Sequence, residues 1–260
     1  MIPVLELNPW MIACRSRELQ SNVPYATTVE GNHLVLFRDE SGAPAALEDR
    51  CAHRNTPLSI GTVKQGRLHC AYHGWAYSAD GSVVEVPALP SQHLCKHAVR
   101  RYHAAEQDGF VWVSLYADPP NVKPLAFPHL HDAGWTHFVM KTCFEARVDA
   151  CLENFLDCPH ATFVHRYLFR APTARQVKAV VRTLPDGAEA EFFEEPREKS
   201  LVWWLLAPHG GSMRHTDRYI APRTSRVDYV FPNGLHYIIT SSCTAINERE
   251  TQVYTVISFR

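Results

Sequence analysis

The chain has 260 residues, enough for one large domain or two small ones. Its hydrophobic fraction is 46%, its charged fraction is 20% and its formal net charge is -1, so it lacks the basic excess that nucleic acids or anionic membranes attract. No apolar run reaches the ~20 residues of a membrane-spanning helix, and the N-terminal residues do not resemble a secretory signal. We therefore expect a cytoplasmic protein that binds neither nucleic acid nor membrane, with its eight cysteines present as thiols or metal ligands.

The first part of the chain has the pattern of short antiparallel strands. Residues 31–50 and 77–86 each contain two β-rich runs around a glycine turn, which predicts two hairpins. The apolar run GFVWVSLY, at 109–116, predicts a further strand. The proline-rich segment 117–128 predicts a linker. We therefore place an antiparallel β domain at residues 1–120 and a second domain at residues 121–260.

Two cysteine–histidine pairs lie inside this β domain, in the stretch CAHRNTPLSIGTVKQGRLHCAYHGW at 51–75. Cys51 and His53 form the first pair, and Cys70 and His73 form the second. Two thiolates and two imidazoles can hold zinc or an iron–sulfur cluster. Zinc sites usually take two cysteines from one turn, whereas here each turn supplies one cysteine and one histidine. This arrangement favours a 2Fe-2S cluster in which one iron has two cysteine ligands and the other has two histidine ligands.

The same stretch, CAHRNTPLSIG followed by CAYHGW, resembles the Rieske domain of the ring-hydroxylating oxygenases. The resemblance implies that Cys51 and Cys70 bind one iron of the cluster, and that His53 and His73 bind the other. By itself this motif does not distinguish an oxygenase from a small Rieske-type electron carrier, which uses the same ligand spacing.

A second pattern with metal-binding residues lies in ACLENFLDCPHATFVHRY, at 150–167. Apolar residues recur there at helical spacing, which predicts a helix. Asn154, Asp157 and His160 are three residues apart, so we expect them to lie along one flank of that helix.

A second histidine, His165, follows His160 by five residues. On a regular helix this spacing places the two imidazoles about 140° apart, too far for one metal ion. Pro159 lacks an N–H and its ring crowds the preceding turn, so the sequence predicts a kink or π-bulge that brings the two histidines together. Two imidazoles and one carboxylate would form the facial triad of a non-haem iron oxygenase.

The spacing E-N-x-x-D-x-x-H-x(4)-H resembles the mononuclear-iron motif of the same oxygenases, in particular the vanillate O-demethylase and dicamba monooxygenase type. The resemblance implies that His160 and His165 bind Fe(II). It implies that Asp157 is the carboxylate linking a cluster histidine to an iron-bound histidine, and that Asn154 is a polar residue near the iron. It also implies an α+β fold, in which a helix-grip catalytic domain with an antiparallel sheet follows the Rieske domain.

The third protein ligand of this family is an aspartate on a later helix, which this sequence does not supply. The final residues, TQVYTVISFR, predict a strand instead. We therefore expect the C-terminal part of the catalytic domain to be missing from this sequence. The alternative is a substitute ligand among four later carboxylates, which we expect at strand ends facing solvent: Asp217, Asp228, Glu248 and Glu250.

The rest of the second domain is rich in predicted strands. Turns at 185–187 and 232–234 predict two hairpins, and Trp203 and Trp204 lie in a further predicted strand. The remaining cysteines are scattered, and we interpret most of them as small buried apolar residues: Cys14, Cys95, Cys143, Cys151, Cys158 and Cys243.

Together the two motifs imply the terminal oxygenase (alpha) component of a Rieske non-haem iron system. Electrons from NAD(P)H would arrive through a reductase or ferredoxin, and O2 would hydroxylate a small aromatic substrate or remove an O- or N-methyl group. The resemblance also implies a homotrimer, with Asp157 linking the cluster of one subunit to the iron of the next. The alternative is a Rieske-type electron-transfer protein without oxygenase activity. The sequence does not identify the substrate or distinguish a monooxygenase from a dioxygenase or demethylase.

Overall fold

The structure is a computed structural model that describes residues 7–89, 97–164, 178–195 and 213–260. The chain divides into two compact units. The N-terminal unit comprises Asn8–Ala126 and Thr244–Glu248, and the C-terminal unit comprises Phe127–Cys243 and Arg249–Arg260. None of the helices in the described ranges is long and apolar enough to cross a membrane.

The N-terminal unit is built from two antiparallel sheets. In the six-stranded sheet the neighbouring strands follow the order β1-β10-β9-β4-β3-β2, and in the four-stranded sheet the order is β5-β6-β7-β8. The strands are β1 (Met11–Arg15), β2 (Tyr25–Val29), β3 (Asn32–Arg38), β4 (Pro44–Glu48), β5 (Thr62–Lys64), β6 (Arg67–His69), β7 (Ala76–Tyr77), β8 (Val83–Glu85), β9 (Arg101–Gln107) and β10 (Phe110–Ser114).

Both hairpins predicted in this unit are present, because β3 pairs with β4 and β7 pairs with β8. Their turns contain Gly42 and Gly81, whose φ angles of +84° and +86° are left-handed values that glycine adopts at little cost. At Gly81 the requirement is also steric, since a Cβ there would lie 2.1 Å from the carbonyl oxygen of Val99.

Strand β3 is buried on both faces, and its side chains therefore enter two different cores. Leu34 and Leu36 pack into a cluster with side chains of β1 and β10. Val35 and Phe37 point the other way, as alternation along a strand requires, into a cluster that extends to the four-stranded sheet. The second cluster also contains the two cysteines of the predicted metal centre, Cys51 and Cys70, so the core anchors their side chains.

The C-terminal unit is built on one antiparallel sheet of seven described strands. The strands are β11 (Thr136–Phe144), β12 (Lys178–Leu184), β13 (Gly187–Glu195), β14 (Met213–Ile220), β15 (Thr224–Val230), β16 (His236–Ala245) and β17 (Thr251–Phe259). They are arranged in the order β11-β17-β16-β15-β14-β13-β12. Both predicted hairpins are present, as β12 pairs with β13 and β15 with β16. The predicted C-terminal strand is β17, which pairs with β11. Cys95, Trp203 and Trp204 lie outside the described residues.

The described part of this unit contains two helices, α1 (Val148–Leu156) and α2 (His160–Phe163). Leu152 of α1 belongs to a buried cluster with Cys243 and Val253 of the sheet. The ring of Phe155 meets Phe144 of β11 edge to face at 5.8 Å. One face of α1 is therefore held against the antiparallel sheet.

The prediction of one kinked helix over 150–167 is wrong, because the helix is interrupted. Asp157 follows the last residue of α1 with φ -80° and ψ 80°, outside the helical region, and α2 begins after Pro159. Proline cannot donate to the turn before it, and here the chain makes a turn instead of continuing. Asp157 consequently does not lie on one continuous helix flank with Asn154 and His160.

Candidate metal centres

The four predicted cluster ligands come together in two neighbouring loops of the N-terminal unit. Cys51 and Cys70 are buried and are free thiols rather than a disulfide. His53 and His73 are exposed, with ring centroids 4.6 Å apart. The site thus presents two thiols toward the core and two imidazoles toward the surface.

Both loops close in the same way despite their different cysteine–histidine spacings. The N–H of Asn55 donates to the carbonyl of Cys51 at 2.9 Å, and the N–H of Gly74 donates to that of Cys70 at 3.1 Å. Asn55 and Gly74 both have positive φ, +59° and +72°, the conformation that asparagine and glycine tolerate best. Each closed turn therefore supports one cysteine and one histidine, which is the arrangement that a cluster bridging two loops requires.

Backbone N–H groups point at the sulfur of Cys70. Burial raises the pKa of this thiol, and hydrogen bonds from the N–H groups of Tyr72 and His73 act in the opposite direction. Such donors stabilise negative charge on sulfur. The loop is therefore prepared for a thiolate ligand despite its burial.

Tyr77, which we did not predict as part of the site, contacts the other sulfur. Its hydroxyl lies 3.1 Å from Sγ of Cys51 and accepts a hydrogen bond from the N–H of Ala52. Burial, followed by the contact with Cys51, raises the pKa of Tyr77 well above its usual range. A thiolate sulfur only accepts hydrogen bonds, so the Tyr77 hydroxyl is the donor in this contact when Cys51 serves as a cluster ligand.

Aromatic rings border both imidazoles. The ring of His53 stacks on Trp75 of the other loop, with ring centroids 4.8 Å apart and an interplanar angle of 3°. The ring of His73 packs on Tyr72 with ring centroids 3.9 Å apart. These contacts limit the rotation of the imidazoles. Two buried thiols that face hydrogen-bond donors, together with two oriented imidazoles, fit a Rieske-type 2Fe-2S cluster.

The second predicted centre is described only in part. His160 is half-buried, and its Nδ1 lies 2.5 Å from the carbonyl oxygen of Asp157. A carbonyl only accepts hydrogen bonds, so Nδ1 carries the proton and Nε2 keeps the lone pair that a metal ion needs. Asn154 and the Asp157 side chain are exposed. His165 lies outside the described residues.

The substitute carboxylates do not all lie where we expected them. Asp217 and Asp228 were predicted at strand ends facing solvent, but they lie inside β14 and β15 with little exposure. The Asp228 carboxylate accepts two hydrogen bonds from Arg226, at 2.6 and 2.9 Å, and a third contact comes from His236 at 3.1 Å. Such partners compensate the cost of burying a carboxylate.

The two remaining carboxylates, Glu248 and Glu250, lie between β16 and β17. Glu248 is exposed and Glu250 is half-buried. Neither of them is part of the metal-ligating group that the described residues contain, Cys158, His215 and Asp217.

The cysteines outside the cluster motif differ in their surroundings. Cys14, Cys151 and Cys243 are buried as expected, and burial raises the pKa of the Cys243 thiol to about 12. Cys143 is exposed instead, on strand β11, most of whose side chains are exposed. Cys158 is only half-buried, and its sulfur contacts an imidazole.

Residues 9–103 match the profile of the Rieske [2Fe-2S] domain family. The chain contains a Rieske domain. Curated relatives extend the match into the second half of the chain. A putative toluene-4-sulfonate monooxygenase iron-sulfur subunit, TsaM2 of Comamonas testosteroni, is 32% identical over 68% of this chain and 51% of its own length. Chlorophyllide a oxygenase of Arabidopsis thaliana is 38% identical over 52% of this chain.

This chain thus spans a quarter to a half of these relatives, 24% of the Arabidopsis protein and 51% of TsaM2. Its fold is also that of dicamba monooxygenase, solved with 3,6-dichlorosalicylic acid. The two structures superpose with a TM-score of 0.83 at 23% identity, covering 97% of this chain and 77% of the other. The predicted resemblance to the Rieske oxygenases and the predicted fold class are confirmed. The two predicted cofactors are a 2Fe-2S cluster and a non-haem iron. The matched domain family is that of the [2Fe-2S] cluster, and dicamba monooxygenase has been solved with its non-haem iron.

Proposed function

We propose that this chain is the terminal oxygenase component of a Rieske non-haem iron system. The observation that carries the proposal is the joint presence of two features. Cys51, His53, Cys70 and His73 meet in one site, and the same chain holds His160 beside Asp157, with Nδ1 of its ring against the Asp157 carbonyl oxygen. An electron carrier needs only the first feature. An oxygenase needs both.

The exposed imidazole side of the cluster site is the proposed point of electron entry. His53 and His73 reach the surface there, and two exposed apolar side chains lie in the same pair of loops, Ile60 at 65% and Tyr72 at 64% exposure. Apolar groups around a redox centre suit a transient contact with a protein partner. We assign this surface to an NAD(P)H-dependent reductase or a ferredoxin.

Asp157 is the proposed link between the two centres of neighbouring subunits in a homotrimer. Its side chain is exposed in the single chain, as are both cluster histidines, so a second copy can approach them. A carboxylate accepts the N–H of an imidazole. In this role Asp157 receives that hydrogen bond from the partner subunit through its side chain and orients His160 through its backbone carbonyl.

The proposed substrate is a small aromatic compound that is hydroxylated or loses an O- or N-methyl group. When bound, the mononuclear iron supplies the activation of O2 for this reaction. The names of related proteins support the substrate class, since toluene-4-sulfonate and 3,6-dichlorosalicylic acid are both substituted aromatic acids. The contribution of His160 is to hold one coordination position with a fixed tautomer.

A turnover assay tests this proposal. The reconstituted chain is combined with a reductase, NAD(P)H, O2 and a panel of methoxylated and N-methylated aromatics, and hydroxylated product and formaldehyde are measured. Because this sequence does not supply the family's third protein ligand, we expect slow product formation by the native chain and none by His160→Ala, which should keep its cluster absorbance. If the cluster accepts electrons and passes them to an external acceptor, but no panel compound reacts, the chain is an electron-transfer protein and the proposal is wrong.

A further inference from the structure

Cys158, His215 and Asp217 form a compact group of metal-binding side chains in the C-terminal unit. One ligand atom of each lies within 4.8 Å of the other two. Cys158 comes from the turn between α1 and α2, whereas His215 and Asp217 come from β14. The latter two are separated by one residue and therefore point to the same face of the strand. The proposed oxygenase chemistry assigns no role to this group.

The imidazole of His215 is held between two different partners. Its Nε2 lies 2.7 Å from Oδ1 of Asp217, and its Nδ1 lies 3.8 Å from Sγ of Cys158. Because a carboxylate accepts, the proton resides on Nε2 and the lone pair of Nδ1 faces the sulfur. The group is thus a chain of carboxylate, imidazole and thiol.

Neighbouring strands fix the plane of this imidazole. Phe192 of β13 and Tyr229 of β15 are the direct cross-strand neighbours of His215. Their rings stack on the imidazole with centroid distances of 4.7 and 4.5 Å. His215 is 1% exposed and Asp217 is 6% exposed. The ring therefore cannot rotate to exchange its partners, and the lone pair of Nδ1 stays directed at Cys158.

This arrangement matches the surroundings of a zinc ligand. Zinc takes cysteine sulfur at about 2.3 Å and histidine nitrogen at about 2.0–2.1 Å. A tetrahedral ion bound by both would separate these two atoms by roughly 3.6 Å, close to the observed 3.8 Å. Metal-bound histidines almost always donate their other ring N–H to a carboxylate or carbonyl, which is the position of Asp217. A bound cation also compensates the charge of this buried carboxylate.

We propose that Cys158 and His215 bind a divalent cation of zinc type, with Sγ and Nδ1 as ligands. Asp217 is a positioning residue that fixes the tautomer of His215. Water or a ligand group completes the coordination shell. The inference is independent of the proposed oxygenase function, because Cys158 and His215 belong neither to the Rieske site nor to the predicted iron ligands. Asp217, named above as a possible substitute iron ligand, here contacts His215 and is not itself a ligand.

Alkylation of individual cysteines tests the site in the chain carrying its 2Fe-2S cluster. The chain is treated with N-ethylmaleimide with and without added Zn²⁺, and the modified peptides are quantified by mass spectrometry. Zinc is expected to slow the alkylation of Cys158 at least tenfold and to leave the exposed Cys143 unchanged, and a chelator should restore the rate. Equal rates for Cys158 with and without zinc would overturn the proposal.

Four variants separate the ligands from other effects. His215→Gln is expected to abolish the protection of Cys158, and Asp217→Asn to weaken zinc affinity by about 10–100-fold. Circular dichroism and cluster absorbance report whether each variant is folded. His160→Ala should keep the protection. If His160→Ala loses the protection, the zinc occupies the predicted iron site, and the proposal is wrong.

Co²⁺ in the native chain gives a second readout, because ligation by Cys158 adds a thiolate charge-transfer band that Cys158→Ser lacks.

Discussion

The hydroxyl of Tyr77 lies 3.1 Å from the sulfur of Cys51. A hydrogen bond to a cluster ligand stabilises the reduced, more negative state and raises the reduction potential. A bond of ~1 kcal/mol corresponds to roughly 40 mV for one electron. We therefore expect Tyr77→Phe to lower the potential by about that amount, as measured by voltammetry, with cluster content unchanged. Tyr102→Phe, at a tyrosine buried elsewhere in the N-terminal unit, is the control and should have no effect. Equal potentials in Tyr77→Phe and the native chain would show that the contact does not tune the cluster.

The two cluster histidines are expected to set the potential more strongly. Replacing either imidazole by a thiolate, in His53→Cys or His73→Cys, adds negative charge to one iron. Rieske centres lie at about -150 to +300 mV and all-cysteine clusters near -400 mV, so each substitution should lower the potential by more than ~100 mV. EPR of the reduced protein checks that a cluster is present. A folded variant with its cluster and an unchanged potential would contradict the assignment of that histidine.

Asp157→Asn is expected to leave both metal centres occupied and to slow electron transfer between them at least tenfold. Asparagine has nearly the same shape, but it carries no charge and cannot take up a proton. The backbone carbonyl that contacts His160 is unchanged by the substitution. The measurement is the single-turnover rate of cluster oxidation in the presence of substrate and O2. Asp149→Asn, at another exposed carboxylate in the first turn of α1, is the matched control. Equal rates for the two variants would remove Asp157 from the electron path.

Gly61 is expected to tolerate no side chain. A Cβ there would lie 2.0 Å from the carbonyl oxygen of His69 and 2.9 Å from that of Leu58, and both are backbone atoms that cannot move aside. His69 precedes the cluster ligand Cys70, so relief of the clash would displace the second loop. Gly61→Ala should lower the free energy of unfolding by about 1–3 kcal/mol and reduce cluster content. Ile60→Ala, at the exposed neighbouring residue, should do neither. Denaturant unfolding followed by circular dichroism measures the difference.

The local features of this fold could be predicted from the sequence because they depend on neighbouring residues. The turn at Gly81 and the closure of two loops around Cys51 and Cys70 follow from glycine placement and ligand spacing. Tyr77 could not be assigned a role in this way. Its contact with Cys51 spans 26 positions and depends on how the strand after the second loop packs against the first loop.

The second centre shows the limit of spacing arguments more clearly. The residues of α1 have helical periodicity up to Leu156, but periodicity does not reveal whether a proline bends a helix or ends it. The pairing of Cys158 with His215 connects residues 57 positions apart. It arises because the turn before α2 meets β14, a relationship that no local pattern encodes.

The most direct test of the central claim is pulsed EPR of the reduced chain, combined with iron and acid-labile sulfide analysis after anaerobic reconstitution. A Rieske cluster held by Cys51, His53, Cys70 and His73 predicts a 2Fe-2S signal with strong couplings to the nitrogens of two histidines, and each histidine variant should lose one of them. A chain that binds zinc without sulfide at these residues would contradict the account. So would a 2Fe-2S signal without histidine nitrogen coupling.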